Sequence, residues 1–316
     1  MPGSPPPRLS VVTPLFNCLD RTQAMVESLR GSMPDWLSYE VILVDDGSTD
    51  GTREWLSTLG EPYRVVLNER NMGFGASTNR GAAVARGRIL ALLNNDLVLA
   101  PGWLGPMINA LNELGAEAGL VGNVQLSAAT REVDHAGIVI DRKGKPVHER
   151  ALPGPASVAL APVRRVPAVT GACVLVRSDT WRALGGFDEA YVNGCEDVDL
   201  CLRARAAGLA NVVVLSSRVL HHVSSSPGRK LRDEENTRRL VERWHRDIAV
   251  ICARVHALEQ FQEHEAEPRD FPGAIEAVWM ATYLLHLHGV PTPRALDAAY
   301  LHMDVELARW QKMFSN

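Results

Sequence analysis

Two apolar runs in the first third of the chain end on acids, and no other feature constrains the fold as strongly. Glu40-Val-Ile-Leu-Val44 runs into Asp45-Asp46-Gly47-Ser48, and Arg88-Ile-Leu-Ala-Leu-Leu93 runs into Asn94-Asn95-Asp96. A strand buried on both faces reads as a continuous aliphatic stretch, and carboxylates inside it would be costly to desolvate. Acids just past the strand can instead face a ligand or a cation, because ligands bind at the carboxyl edge of an open α/β sheet. One such edge is ordinary, since Asp-Gly-Ser is a common turn and helix cap. Two of them, followed by Glu196-Asp197-Val198-Asp199, suggest a site for a cation and a phosphorylated ligand.

The rest of the N-terminal part fits a parallel sheet. Residues 9–13 read as a first strand ended by Pro14, with Leu15-Phe16-Asn17 as a loop. A helix over 20–29 follows, with Asp20 as its N-cap. Strands over 40–44, 64–67 and 88–93 alternate with helices over 52–59, 76–85 and 103–114. This β-α-β-α-β-α-β rhythm predicts an α/β fold, a Rossmann-like and mostly parallel sheet flanked by helices. From Gly119 the rhythm breaks. Short runs over 120–124, 133–140 and 166–169 suggest a mixed sheet edge or hairpin insert. Helices are expected over 178–184 and 197–207, and short strands over 212–215 and 219–220. Beyond Pro227 the spacing is helical over 233–264, 273–288 and 294–313. Three parts are therefore expected: a flexible leader 1–7, an α/β domain 8–226, and a helical extension 227–316.

Bulk properties narrow the function classes. A net charge of −4 over 316 residues gives no reason to expect nucleic-acid binding. Cys18, Cys173, Cys195, Cys201 and Cys252 show no CxxC pair and no zinc-like spacing. They read as reduced thiols of a cytoplasmic protein. No run reaches the ~18 apolar residues of a membrane span. Peripheral association with the inner face of a membrane, and self-association, are both compatible with the sequence.

At this point the motifs resemble the family 2 glycosyltransferases. The resemblance rests on Val12-Thr13-Pro14-Leu15-Phe16-Asn17, Val44-Asp45-Asp46-Gly47-Ser48-Thr49-Asp50-Gly51-Thr52, Asn71-Met72-Gly73-Phe74-Gly75 with Asn79-Arg80-Gly81, Leu92-Leu93-Asn94-Asn95-Asp96, Thr170-Gly171-Ala172-Cys173, Gly185-Gly186-Phe187-Asp188-Glu189 and Glu196-Asp197-Val198-Asp199-Leu200. It spans residues 8–226. It implies a GT-A fold, a UDP-, dTDP- or GDP-linked sugar donor, a divalent cation (Mn2+ or Mg2+) and inversion at the anomeric carbon. Asn-Asn-Asp in place of Asp-x-Asp looks most like rhamnosyltransferases and related hexosyltransferases of bacterial surface glycans. A glycan, a lipid-linked sugar or a protein would then supply the acceptor hydroxyl.

The same resemblance assigns roles. Asp96 stands as the last acid of the metal motif, with His221 of the His221-His222 pair completing the metal shell, against the ordinary reading of a structural histidine. Asn94 replaces the first acid and contributes no charge; with Asn95 it would contact the donor. Asp46 would accept from the base, with Asp45 beside it, and Thr13-Pro14 would lie against base or ribose. Arg70 could reach the nucleotide, while Asn79 is either a donor contact or a structural amide. Gly171 lets the backbone approach the donor sugar closely. Asp197 is the general base of the Glu196-Asp197 pair, and Asp199 is an ion-pair partner for Arg203 or Arg205. The basic stretch Arg229, Lys230, Arg232, Arg238 and Arg239 either meets a diphosphate or is a solvated helix face. Two other readings compete. A sugar-1-phosphate nucleotidyltransferase would want a glycine-rich basic loop after the first strand, where this chain has Thr-Pro-Leu-Phe-Asn. A degenerate sugar-nucleotide-binding protein would not need Asp46, Asp96 and Asp197 together.

Overall fold

A computed structural model of the protein describes residues 6–222, 232–266, 274–285, 287 and 289–315. Most of the leader, the 226/227 boundary, Arg229 and Lys230 lie outside the described residues. The chain forms two compact units, one of residues 1–138 and 148–232, the other of 139–147 and 233–316.

The first unit carries β1 (Leu9–Leu15), α1 (Leu19–Ser32), β2 (Tyr39–Asp45), α2 (Thr52–Leu56), β3 (Tyr63–Leu67), α3 (Phe74–Val84), β4 (Ile89–Leu93), β5 (Leu97–Val98) and α4 (Leu104–Leu114). Then come β6 (Ala118–Ser127), β7 (Val133–His135), α5 (Pro155–Leu160), β10 (Val163–Arg165), β11 (Cys173–Arg177), α6 (Ser178–Leu184), α7 (Glu196–Ala206) and β12 (Ala210–His221), while β8 (Ile138–Ile140) and β9 (Pro146–His148) pair with each other and fall mostly in the 139–147 segment of the second unit. The main sheet runs β10-β12-β6-β11-β4-β1-β2-β3, with β5 on β12 and β7 on β6. β4 is buried at every position, as its unbroken Ile-Leu-Ala-Leu-Leu run requires. One face of the sheet buries Leu43, Ala91, Leu93, Leu175 and Val214 with Met25, Leu29, Met107 and Leu111 from α1 and α4. The amino edge is closed by Glu40, a buried carboxylate that accepts from Ser10 Oγ (2.7 Å), Arg86 N (2.7 Å) and Arg64 Nη1 (3.1 Å).

Several local expectations change. Pro14 does not end β1, which pairs with β2 as far as Leu15↔Asp45. The Arg8 carbonyl accepts from Ile89, so the even-numbered residues of β1 address β4. That ladder stops at Val12↔Leu92, and Pro14 therefore lacks an N–H where no partner waits. Asp20 does not cap α1; Asp50 Oδ2 accepts from Leu19 N (2.9 Å), while its Oδ1 accepts from Thr52 N and Oγ1. Residues 166–169 make only an isolated bridge, Ile138↔Ala168. The two runs at 212–220 are one strand, β12, bulged between Val214 and Arg218.

The second unit holds α8 (Asp233–Arg243), α9 (His245–Ala266), α10 (Ala274–Leu284) and α11 (Pro293–Phe314). Thr292 caps α11 by accepting from Ala295 N. None of the helices is long and apolar enough to cross a membrane among the described residues. Glu306 is buried among cations: Arg309 Nε (2.8 Å), Lys143 Nζ (3.1 Å) and Lys145 Nζ (3.3 Å). Burial alone would raise its pKa. The bonds from Arg309, Lys143 and Lys145 outweigh that and hold the carboxyl at about 2, below its ordinary 4.5. A depressed folded pKa contributes stability that is complete above the unfolded value and is lost as pH falls from 4.5 through about 2. Glu306→Gln is expected to cost ~3 kcal/mol at pH 7. In denaturant melts at several pH values, the gap between wild type and variant should close toward pH 2. A gap independent of pH would show that the charge network is not its source.

Candidate active site

Strand directions bring the predicted residues to one edge. β1, β2, β3 and β4 are parallel; β11 is antiparallel to both β4 and β6; β12 is parallel to β6. The carboxyl ends of β1, β2, β3, β4, β6 and β12 therefore share an edge, where β11 begins after Gly171. Thr13, Pro14, Asp45, Asp46, Asn94, Asn95, Asp96, Gly171 and His221 all lie there.

On β2 the two aspartates differ. Asp45 is fully buried and accepts from Gly47 N (3.2 Å), Ser48 N (3.2 Å) and Arg53 Nε (2.6 Å). Its carboxylate thus holds its own turn and α2 at the edge where a donor contact is expected. Asp46 accepts from Asn68 Nδ2 (2.7 Å), Met72 N (2.8 Å) and Gly73 N (2.9 Å), and so fastens the 70–73 loop to the sheet edge. Gly47 has φ +83°, and a Cβ there would lie 2.8 Å from Asn71 N, so only glycine lets this turn meet that loop. Arg70 is exposed on the loop. Thr13 Oγ1, by contrast, is buried with no hydrogen-bond partner.

Of the two readings of Asn79, its bonds favour the structural amide. Its Nδ2 donates to Phe187 O and Glu189 Oε1 (both 2.9 Å), and its Oδ1 accepts from Phe187 N (2.9 Å). Both amide hydrogens are used inside the protein, and the residue ties α3 to the Gly-Gly-Phe-Asp-Glu loop.

After β4, Asn95 Nδ2 donates to Thr22 Oγ1 (3.0 Å), while the buried Asn94 Oδ1 has no partner among the described residues. β5 pairs Leu97 with His221, which sets His221 Nε2 3.2 Å from Asp96 Oδ1. Both side chains are buried, and neither ring nitrogen of His221 has an aligned hydrogen bond. Among the described residues no three His, Cys, Asp or Glu side chains form a complete cage for a metal. Two protein ligands nevertheless fit a hard cation that takes its remaining oxygens from phosphates and water.

Facing them across the edge, Asp197 opens α7. Its Oδ2 accepts from Gly171 N (2.8 Å) and its Oδ1 from Val198 N (2.8 Å), with the carboxylate half-buried. Gly171 is thus bound to Asp197 through its N–H. Phe74 and Phe187 stack behind them with ring centroids 5.7 Å apart. Glu196 is buried and accepts from Gly194 N (2.6 Å), closing the loop that leads into the helix. Asp199 pairs with Arg203 Nε at 2.8 Å, as its i,i+4 spacing implied.

Sequence reading passed over four groups here. Asn68 ends β3 at the same edge, and the strand-end rule that found Asp46 and Asp96 would have found it. Arg53 couples Asp45 to the Asn68 carbonyl. Gln125 and His135 had no motif to mark them. His135 is fully buried, and burial, then His148, His221 and Arg164, hold its pKa well below the ordinary value, so the ring is neutral.

Comparison with known proteins agrees with this geometry. Residues 10–154 match the family described as Glycosyl transferase family 2. The chain is 33% identical over 228 residues to the O-antigen biosynthesis protein RfbC of Myxococcus xanthus, covering 70% of this chain but only 18% of that one. It is 30% identical over 218 residues to an N-acetylglucosaminyl-diphospho-decaprenol L-rhamnosyltransferase of Mycobacterium tuberculosis, covering 60% of this chain and 68% of that one. Among solved structures, GalNAc-T7 with UDP, GalNAc and Mn2+ superposes with a TM-score of 0.62 at 20% identity, covering 84% of this chain and 53% of that one. The sheet, the ordered motifs and the mycobacterial relative together place this chain in glycosyltransferase family 2, with the GT-A fold.

Proposed function

We propose that the protein is an inverting glycosyltransferase that moves a hexose or deoxyhexose from a nucleoside-diphosphate sugar to an acceptor hydroxyl in the synthesis of bacterial surface glycans. The observation that carries this reading is the pairing of Asp96 and His221 on the edge where Asp197 is also held. The relatives' names, O-antigen biosynthesis and a decaprenyl-linked rhamnosyltransferase, support a surface glycan with a lipid-linked acceptor. UDP and Mn2+ in the structural neighbour support the donor class and a divalent cation.

In this reading Thr13, Pro14, Asp46 and Arg70 border the base and ribose, and Asn94 and Asn95 border the diphosphate. Asp96 and His221 hold Mn2+ or Mg2+, which when bound supplies positive charge against the leaving diphosphate. Asp197 accepts the acceptor's proton as its oxygen attacks the anomeric carbon and the bond to the diphosphate breaks. A single displacement with one base and no enzyme nucleophile inverts that carbon. The free thiols, with Cys173 pushed up to about 12 by burial, suit a reducing cytoplasm. The helical unit is assigned to the acceptor or to self-association.

The test is transfer from a panel of UDP-, dTDP- and GDP-sugars with Mn2+ to a polyprenyl-diphosphate sugar, with the product's anomeric configuration read by NMR. The expected product is inverted relative to the donor. A retained configuration, or nucleotidyl transfer to a sugar phosphate, would overturn the reading.

A further inference from the structure

Beside Asp96 and His221 lies a group of buried polar side chains that the roles above leave unused. Gln125 is 1% exposed, yet neither its Oε1 nor its Nε2 has a partner among the described residues. Register places it between two imidazoles. β7 sets His135 opposite Gln125, and β12 sets Val219 opposite Gln125. Paired residues share a face and alternate residues return to it, so His221, two places after Val219, lies on the face of Gln125 and His135. His135 Nε2 accepts from Gly137 N (3.2 Å), which leaves the hydrogen of its neutral ring on Nδ1, buried and without a partner. His148 packs edge-on against the same ring at 4.8 Å and restricts its rotation. Both nitrogens of His221 also lack an aligned bond. Each buried polar group left unmet costs about 1–3 kcal/mol, so several at one place mark groups that serve one another or a bound species.

We propose that Gln125 and His135 are positioning residues that set the ring of His221 opposite Asp96, with Gln125 bridging the two imidazoles directly or through one water. Their role rests on Asp96 and His221 holding the cation that accompanies the nucleotide. With the lone pair of His221 Nε2 given to a cation beside Asp96, its Nδ1 would carry the ring hydrogen and need an acceptor, which Gln125 Oε1 would provide. The Nδ1–H of His135 would donate to the second lone pair of the same Gln125 Oε1, directly or through one water, and so fix the orientation of the amide. Outer partners of this kind fix the tautomer and rotation of a ligating histidine, and losing one typically lowers metal affinity about 10–100-fold.

The experiment titrates Mn2+ into full-length protein with UDP, GDP or dTDP, whichever wild type binds most tightly. Free Mn2+ is followed by electron paramagnetic resonance, and imidazole nitrogen coupling to bound Mn2+ by spin-echo modulation. Gln125→Leu and His135→Phe are each expected to weaken Mn2+ binding about 10–100-fold and to diminish the nitrogen coupling. Nucleotide affinity without metal should stay within about threefold of wild type. His135→Asn, whose amide N–H replaces the Nδ1–H, should recover most of the loss, which a purely space-filling role would not predict. Should His135→Phe fail to fold, Gln125→Leu and His135→Asn decide the matter. Wild-type Mn2+ affinity and coupling in Gln125→Leu, with both lost in His221→Ala, would overturn the positioning role alone. Unchanged affinity and coupling in His221→Ala would overturn the metal assignment beneath it.

Discussion

Replacing Asp197 with Asn is expected to lower the rate of sugar transfer by about 10²–10⁴, the usual cost of removing a general base. Nucleotide affinity should change by no more than a few-fold, since the carboxylate acts on the acceptor and touches no part of the proposed nucleotide pocket. The substitution is nearly isosteric. An amide oxygen can still accept from Gly171 N or Val198 N, so the helix entry should keep its shape while the basic oxygen disappears. Glu196→Gln separates base from loop. Glu196 Oε2 accepts from Gly194 N within its own turn, which an amide oxygen can also do, and a milder effect is expected. Transfer rate and nucleotide affinity measured on both variants decide the assignment. If Asp197→Asn transfers at near the wild-type rate while Glu196→Gln does not, the base is the neighbour. If both remain active, the base lies outside this helix.

The parallel half of the fold was legible because its physics is local. β1 to β4 are aliphatic runs of strand length separated by helix-patterned segments, and each strand's end is marked by a polar turn. What sequence missed depends on partners far along the chain. β11 is a Cys-Val-Leu-Val-Arg strand inserted antiparallel between two parallel strands, β4 and β6, and nothing in the β-α-β rhythm calls for it. β12 carries Leu215-Ser216-Ser217 at its bulge, which reads as a break. Only tertiary contacts rescue it: Ser217 Oγ donates to Trp103 O (2.6 Å) and receives a bond from Asn123 Nδ2 (3.4 Å). The segment 166–169 has strand-like valines, but Pro167 removes a donor from any ladder it could join.

The site shows the same division. Strand-end position marked Asp46 and Asp96 for attention and the third acidic cluster marked Asp197, but neither signal shows which donors inside the protein each carboxylate meets. Asp45 and Asn79 both sit in motif positions, and both make several bonds inside the protein, to Arg53, the Gly47 turn, Phe187 and Glu189. Conversely, Gln125 lies within β6 and His135 at the end of the short β7, and no motif marks either. Their meaning emerges when β12 brings His221 to the same face.

Asp96→Ala is expected to abolish the metal-dependent part of nucleoside-diphosphate binding. Asp96 is the sole acid of the Asn-Asn-Asp turn, since Asn94 brings an amide where an acid would bring a second charge. The proposed site therefore has one carboxylate and one imidazole for its protein ligands. Losing the carboxylate removes the only negative charge facing a divalent cation from this turn, and His221 alone cannot replace an oxygen donor for a hard metal. Titration calorimetry with UDP, GDP and dTDP, each with and without Mn2+, checks this. In wild type, Mn2+ should tighten binding. In Asp96→Ala the two isotherms should coincide, while the metal-free affinity, which the proposed pocket at Thr13, Asp46 and Arg70 would set, should match wild type. The absence of a second acid also predicts that wild-type Mn2+ affinity without nucleotide is weak, with most of the holding power coming from the diphosphate. Metal-dependent tightening that persists undiminished in Asp96→Ala would place the cation elsewhere and remove the turn from the site.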